Sequence, residues 1–261
     1  MTVWKRRRHV MIKVADVVDA MNRFAPVELA EEWDNVGLLV GNSGRDVSKI
    51  IVMLDLDEKG LKEALEVGAD MIITHHPFIM SKLSNITDPV ILGLIENKIS
   101  VCSMHTNLDC ADGGVNQVLA ETIGLDNIEP VVFGDFIARG GVVEKNNLEN
   151  FIVQVKKTLN IDNLRYVGEK KNYVEKVCVV GGSGGDFIEE AYAKGFDTIV
   201  TADVKYHQAQ LSTKLGMNVI DAGHFETENP VIYKVARYLR EVFDDVEVIT
   251  SLRTKSYIKY E

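Results

Sequence analysis

The sequence has no apolar stretch that approaches the roughly 18 residues needed to span a bilayer, because charge or glycine interrupts every strong run. Residues 4–8 carry a basic cluster before an apolar stretch, as the start of a signal peptide does. Lys13, Asp16 and Asp19 interrupt that stretch at once. We therefore expect neither a membrane protein nor an exported one.

Cysteine and positive charge are both scarce. Cys102, Cys110 and Cys178 are odd in number and form no Cys-x-x-Cys pair, which disfavours a disulfide framework and a thiolate zinc site. A reduced, cytoplasmic setting fits best. With 39 acidic against 29 basic residues the formal net charge is -10, the wrong sign for a protein that binds nucleic acid by neutralising phosphates.

The chain of 261 residues, 46% apolar and 26% charged, has the composition of a soluble globular protein, which excludes disorder and fibrous structure. Its length suits one large domain or two smaller ones. Met11 could be the natural start. Residues 1–10 would then be an upstream extension, which we predict to be disordered.

A strand–helix–strand pattern occurs twice along the chain, after an opening amphipathic helix at 14–24. The two copies comprise residues 50–54, 58–67 and 71–74, and then 177–180, 186–194 and 198–201. We infer an α/β protein with two similar halves, 11–130 and 131–261, each a mainly parallel sheet covered by helices. Between the copies, a strand is predicted at 137–143 and a helix at 148–159.

Histidines follow the predicted strands. His75 and His76 come directly after the strand at 71–74, where open α/β sheets place their ligand sites. Adjacent residues on an extended chain point to opposite sides, so two nearby metal ions could take both imidazoles more readily than one. A polar loop with one capped histidine is the alternative for an isolated pair.

Two further strands lead into a histidine and a carboxylate four residues apart. His105 precedes Asp109 after the strand at 99–103, and His224 precedes Glu228 after the strand at 217–220. If the second segment is helical, His224 and Glu228 share one face, whereas Glu226 points elsewhere. Asp109 alone could be a helix cap. Four of the six histidines thus lie past strand ends beside carboxylates, which predicts a metal site.

A mixed set of imidazoles and carboxylates suits Zn, Mn, Fe or Co better than Ca or Mg. So few ligands cannot saturate two ions, which leaves positions for a water or a substrate oxygen. The glycine-rich run at 181–185 lies between a strand and a helix, so it is either a tight turn or a nest of amides for an anion. Asp203, Lys205 and His207 are candidates for proton transfer or substrate contact, or are surface residues.

Six motifs in a fixed order from Met11 onwards carry a resemblance to a known family. They are EEWDNVGL (31–38), THHP (74–77), HTNLD (105–109), VGGSG (180–184), TADVKYH (201–207) and DAGH (221–224) with Glu228. They resemble the signatures of the Nif-three-like dinuclear metal-centre proteins, whose members are often named GTP cyclohydrolase I type 2 homologues. The resemblance implies two related α/β domains in the short form, without an inserted domain. It also implies a toroid-shaped homohexamer with metal sites facing its cavity.

Residue by residue, the resemblance makes His76 and Asp109 ligands of one ion, His75 and His224 ligands of the other, and Glu228 the bridge. His105 becomes a residue near the site. The segment 137–141 departs from the family's usual Gly-Arg-x-Gly pattern. This departure affects none of the proposed ligands.

Three functions are compatible with these residues. The first is a metal-dependent hydrolase acting on a nucleotide or another phosphate-containing small molecule, with His207 or His105 transferring a proton. The second is a protein that binds and delivers a metal ion or a metallocofactor without turnover, since its ligands would be the same. A toroidal scaffold for a protein or nucleic acid is a third function, and the negative charge argues against it.

Overall fold

The computed structural model describes residues 11–259. The extension at 1–10, for which the sequence predicts disorder, lies outside the described residues. The chain folds into two β-sheets flanked by helices, which confirms the predicted α/β class. The predicted opening helix is α1 (Val14–Phe24), whose buried side chains Val14, Val17 and Met21 face the first sheet.

The first sheet has five strands and is mainly parallel, as predicted. In spatial order its strands are β1 (Gly37–Val40), β4 (Ser100–Ser103), β3 (Met71–Thr74), β2 (Lys49–Met53) and β11 (Glu247–Thr250). Only the β1–β4 pair is antiparallel. Strands β3 and β4 are buried along their whole length, because helices cover both faces of a parallel sheet.

The second sheet has six strands and is mixed. In spatial order its strands are β5 (Asp126–Phe133), β6 (Phe136–Asn147), β8 (Tyr173–Val179), β9 (Thr198–Thr201), β10 (Asn218–Asp221) and β7 (Arg165–Val167). The β8–β9 and β9–β10 pairs are parallel, and the other pairs are antiparallel. A two-residue turn joins β5 to β6, and so short a connection can only make an antiparallel pair. The expectation of a mainly parallel sheet therefore holds only at the centre of this sheet.

The remaining helices are α2 (Glu58–Val67), α3 (Pro89–Glu96), α4 (Thr106–Cys110), α5 (Val115–Thr122), α6 (Leu148–Leu159), α7 (Ile188–Ala193), α8 (Tyr206–Leu215), α9 (His224–Glu228) and α10 (Pro230–Val242). Local signals set their ends. The Asp57 carboxylate caps α2 by accepting from the Gly60 amide, and α2 ends at Gly68, whose positive φ suits glycine. The helix predicted at 186–194 divides into a 3₁₀ turn (Gly185–Phe187) and α7.

The end of the chain returns to the first sheet. Helix α10 packs against α5 and β2, and β11 then pairs in parallel with β2. The division into halves 11–130 and 131–261 stays a prediction, but residues from the second half contribute to both sheets. Among the described residues, no helix combines the length and the apolar character that crossing a bilayer requires.

Candidate metal centre

All five residues predicted as metal ligands lie together, between the two sheets. His75 and His76 follow β3, Asp109 lies in α4, and His224 and Glu228 lie in α9. Both short helices follow the carboxyl end of a strand, β4 and β10 respectively, so one edge of each sheet supplies donors. Among these five residues the donor atoms form two groups of three, each within 4.8 Å, and His75 and His76 form a third such group with the neighbouring His105.

Glu228 is at the centre of the cluster. Its Oε2 lies 3.0 Å from the Nε2 of His76, 3.1 Å from that of His224 and 3.7 Å from that of His75. The predicted helical spacing explains this position, because residues four apart on α9 share a face. Glu226 does not join the cluster, since its carboxylate turns back over Gly223.

The two donor groups pair the ligands differently from the family resemblance. One contains His76, His224 and Glu228, and the other contains His75, Asp109 and Glu228. The His75 Nε2 lies 3.6 Å from the Asp109 Oδ1. The predicted pairs, His76 with Asp109 and His75 with His224, do not form these groups. Glu228 belongs to both, which is the position that a bridging ligand needs.

The Nδ1 atom of each histidine in the cluster, and that of the neighbouring His105, donates a hydrogen bond to a fixed oxygen. This bond sets the ring orientation and leaves Nε2 for a metal ion. The acceptors are Met104 O for His75 (2.9 Å), Asp55 Oδ1 for His76 (2.7 Å), Asp203 Oδ2 for His224 (2.7 Å) and Asp34 Oδ1 for His105 (3.0 Å).

Three donor atoms are buried and have no hydrogen-bond partner within the described part of the chain. They are the His75 Nε2, the Asp109 Oδ1 and the Glu228 Oε2. A buried polar atom without a partner costs about 1–3 kcal/mol, so native proteins rarely leave three side by side. A divalent ion coordinated by these atoms would remove that cost. The residues present therefore fit a metal ion.

Without a metal ion, protons balance the charges of the cluster. Burial opposes a charge on His76 and His224, but the carboxylates around them, Glu228 with Asp55 or Asp203, outweigh it and raise their pKa values to about 10 and about 9. Burial and the neighbouring Glu228 charge raise the pKa of Asp109 to about 8. Burial also opposes the Glu228 charge, yet the imidazoles, His75 foremost, hold its pKa well below the usual range. Metal binding must displace these protons.

His105 lies beside the cluster. One of its ring nitrogens is within 4.8 Å of donor atoms of His75 and His76. Burial opposes the charge on its partner Asp34, but hydrogen bonds from His105 and Thr106 hold the Asp34 pKa far below the usual range. This arrangement fixes the His105 ring at the edge of the site.

The structure separates the residues predicted from the TADVKYH motif. Asp203 reaches the site as the partner of His224, with a backbone φ of 53° that is uncommon outside glycine. Lys205 and His207 are exposed at the start of α8. Within residues 11–259, His207 belongs to neither donor group, and its role in proton transfer stays a prediction.

The glycine-rich run is a tight turn beneath Glu228. Three of its amides already donate to side chains: Gly181 to Asn116 (2.8 Å), Gly182 to Thr227 (3.0 Å) and Gly184 to Thr201 (2.8 Å). A Cβ on Gly182 would lie 2.1 Å from the Glu228 Oε1. Of the two interpretations left open by the sequence, the geometry favours the turn over an anion nest.

Arg139 supports the Asp109 side of the site, although the sequence analysis linked its segment to no ligand. Its side chain is 2% exposed, and its Nη2 donates to the carbonyls of Cys110 (3.3 Å) and Ala111 (3.1 Å) and to Asp112 (2.8 Å). These bonds fix the chain immediately after Asp109.

A cavity of about 760 Å³ opens beside the cluster. His76, His105, Asp109, His224 and Glu228 form part of its wall. Its volume lies within the range of about 300–1,000 Å³ that is usual for small-molecule sites. The cluster of candidate ligands is therefore accessible to a small molecule of that size.

Comparison with known proteins places this geometry in a family. The family model described as Duf34/NIF3 (NGG1p interacting factor 3) matches residues 12–256. A Clostridium perfringens protein named "GTP cyclohydrolase 1 type 2 homolog" is 37% identical over 261 residues, covering 95% of this chain and 100% of that relative.

The fold also occurs in solved structures, among them two from Bacillus cereus and Methanocaldococcus jannaschii. A Bacillus cereus protein related to NIF3 has a TM-score of 0.89 at 24% identity, with 96% of this chain and 99% of that one covered. Reduced HcgD from Methanocaldococcus jannaschii has a TM-score of 0.81 at 32% identity, with 92% and 98% covered. The chain belongs to the Duf34/NIF3 family.

Proposed function

We propose that this protein holds two divalent transition-metal ions (Zn, Fe, Mn or Co) and is a hydrolase that acts on a nucleotide, similar to a GTP cyclohydrolase I type 2. The observation that carries the proposal is the set of three orphaned, buried donor atoms in two groups that share Glu228. The name of the Clostridium perfringens relative supports the class of substrate.

Different residues of the chain would hold each ion. His76 and His224 would hold one ion, His75 and Asp109 the other, and Glu228 both. Such ions supply Lewis acidity and lower the pKa of a water at neutral pH. Asp55 and Asp203 fix the rings of His76 and His224 through Nδ1, so that both Nε2 atoms would be available to that first ion.

His105 is the candidate for proton transfer at the cavity wall. Its Nδ1 donates to Asp34, so its Nε2 is free to accept a proton from the reacting groups or return one. His207 remains a second candidate on the sequence motif. We expect His105→Ala to lower kcat with metal content unchanged, whereas loss of metal would make His105 a ligand. His207→Ala tests the second candidate in the same way.

The family resemblance supports a toroidal homohexamer, and the three buried free thiols support a reduced, cytoplasmic setting. Light scattering tests the assembly. A monomer at micromolar concentration would remove the toroid from the proposal.

A second function, metal or metallocofactor binding and delivery, is favoured by the accessibility of two ligands. The His76 and His224 side chains are 25% and 34% exposed, so an ion held there could exchange with another protein. The hydrolase would turn over a nucleotide, whereas the delivery protein would bind its ion without turnover.

A screen of nucleotides against Zn²⁺- or Mn²⁺-loaded protein, with the metal-stripped protein as control, tests the hydrolase. We expect turnover that requires metal and rises with pH around neutrality. If the loaded protein hydrolyses no nucleotide but transfers its ion to an apo-enzyme, the delivery function replaces the hydrolase.

A further inference from the structure

The wall of the large cavity is rich in aromatic rings. Trp33 is 61% exposed, and its ring lies 6.0 Å from the His105 ring in an edge-to-face arrangement. Phe136 and Phe187 stack on each other at 5.0 Å and line the same cavity. An exposed tryptophan beside a polar centre is a large apolar surface that a ligand can cover.

Contacts with the rest of the chain fix the segments that carry these rings. Phe187 also stacks on the buried Phe133 at 4.9 Å, so the phenyl rings are anchored in the second sheet. Trp33 directly precedes Asp34, which accepts hydrogen bonds from both His105 and the Thr106 hydroxyl. The backbone that carries Trp33 is thereby fixed to α4 of the first half. The cavity wall thus includes aromatic rings from both predicted halves of the chain.

Outside the cluster of candidate ligands and His105, the charged side chains of the cavity wall are acidic. Besides the ligands, Glu31 and Asp186 line it, and no lysine or arginine does so within the described residues. The amides of the glycine-rich run are largely occupied by side chains, as described above. This chain therefore offers few groups of its own for a polyphosphate, whereas carboxylates accept hydrogen bonds from amino groups.

We infer that Trp33, Phe136 and Phe187 form a subsite for the flat heteroaromatic ring of a ligand, and that Glu31 and Asp186 select rings that bear amino groups. Aminopurine nucleosides have this chemistry. The inference rests on the proposed function for the choice of a nucleotide as the ligand. It adds that the base, and not the phosphates, supplies recognition by this chain.

Tryptophan fluorescence provides the first test. The chain has two tryptophans, so Trp4→Phe leaves Trp33 as the only emitter. Titration of the Zn²⁺-loaded Trp4→Phe protein with guanosine should quench Trp33, and ribose 5-phosphate should not. Inosine, which has no 2-amino group, should bind more weakly than guanosine. Equal quenching of Trp33 by ribose 5-phosphate and guanosine, or no guanosine binding, would overturn the inference.

Substitution provides the second test, read by equilibrium dialysis. Trp33→Ala should weaken guanosine binding about 10-fold, the effect of losing a base stack of roughly 1.4 kcal/mol, and Trp33→Phe should retain most of it. Asp186→Asn should reduce the preference for guanosine over inosine. Tyr206→Ala is the matched control, because Tyr206 is an 82% exposed aromatic that does not line the cavity.

The outcomes separate this inference from the proposed function. Guanosine binding that depends on Trp33, without hydrolysis of any nucleotide, supports the subsite and contradicts the hydrolase. Nucleotide hydrolysis whose KM and guanosine affinity are unchanged by Trp33→Ala, at unchanged metal content, supports the hydrolase and overturns the subsite.

Discussion

Replacement of Glu228 by glutamine should empty both metal positions. The Oε2 of Glu228 lies within 3.0–3.7 Å of three imidazole nitrogens and belongs to both donor groups. Glutamine keeps the shape of the side chain but removes its negative charge. No other carboxylate within residues 11–259 belongs to both groups.

The size of the effect follows from the position of Glu228. Loss of a residue that only orients a metal ligand costs 10- to 100-fold in affinity, so a shared direct ligand should cost at least about 100-fold per ion. This factor equals about 2.7 kcal/mol of binding free energy for each ion. In the metal-free protein, the pKa values of His76 and His224 should also fall, because the carboxylate that favours their protonated forms is gone.

Elemental analysis after dialysis against Zn²⁺, with a chelator competition for affinity, measures the loss. We expect about two ions per chain in the parent protein and fewer than one in Glu228→Gln. Glu226→Gln is the matched control on the same helix, since the Glu226 carboxylate turns away over Gly223. Full occupancy of Glu228→Gln, or equal losses in both variants, would refute the shared-ligand geometry.

Three further outcomes are expected from the same geometry. Asp203→Asn should weaken the ion held by His224 about 10-fold in chelator competition, and unchanged affinity would exclude an orienting role for Asp203. Metal affinity should rise between pH 7 and 9, because His76 and His224, with pKa values of about 10 and about 9, hold protons there that the ion displaces. Calorimetry in buffers of different ionisation enthalpy measures that release, and its absence would contradict the protonated cluster. Arg139→Met should leave the carbonyls of Cys110 and Ala111 without their donor and lower the occupancy of one ion only. Co²⁺ absorption measures that occupancy, and an unchanged spectrum would contradict support of the site by Arg139.

Much of the site could be predicted because its ligands follow strands in the sequence. Parallel strands end at one edge of a sheet, so a histidine after β3 and a carboxylate shortly after β4 must come close. Asp55, which holds His76, follows the same rule, because it lies just after β2. The alternation of side chains predicted two ions at His75 and His76, and that number stays a prediction, although the structure gives each of these histidines its own donor group with Glu228.

Other features depend on contacts between distant segments, which no local pattern encodes. Asp34 reaches His105 across 71 positions, and Arg139 reaches the carbonyl of Cys110 across 29. The grouping of the ligands depends on the orientation of each imidazole ring. For His76, Asp55 sets that orientation, and Asp55 lies outside the THHP motif. The mixed second sheet and the return of β11 arise from tertiary packing in the same way.

The return of β11 has a consequence for biosynthesis. While the ribosome is still making the second sheet, β2 is an unpaired edge with exposed amides and carbonyls, which is a template for wrong pairing. The first sheet gains its last strand only when the end of the chain emerges. Nascent chains stalled before Glu247 should therefore depend on chaperones, and the early half cannot reach its final form before the late half does.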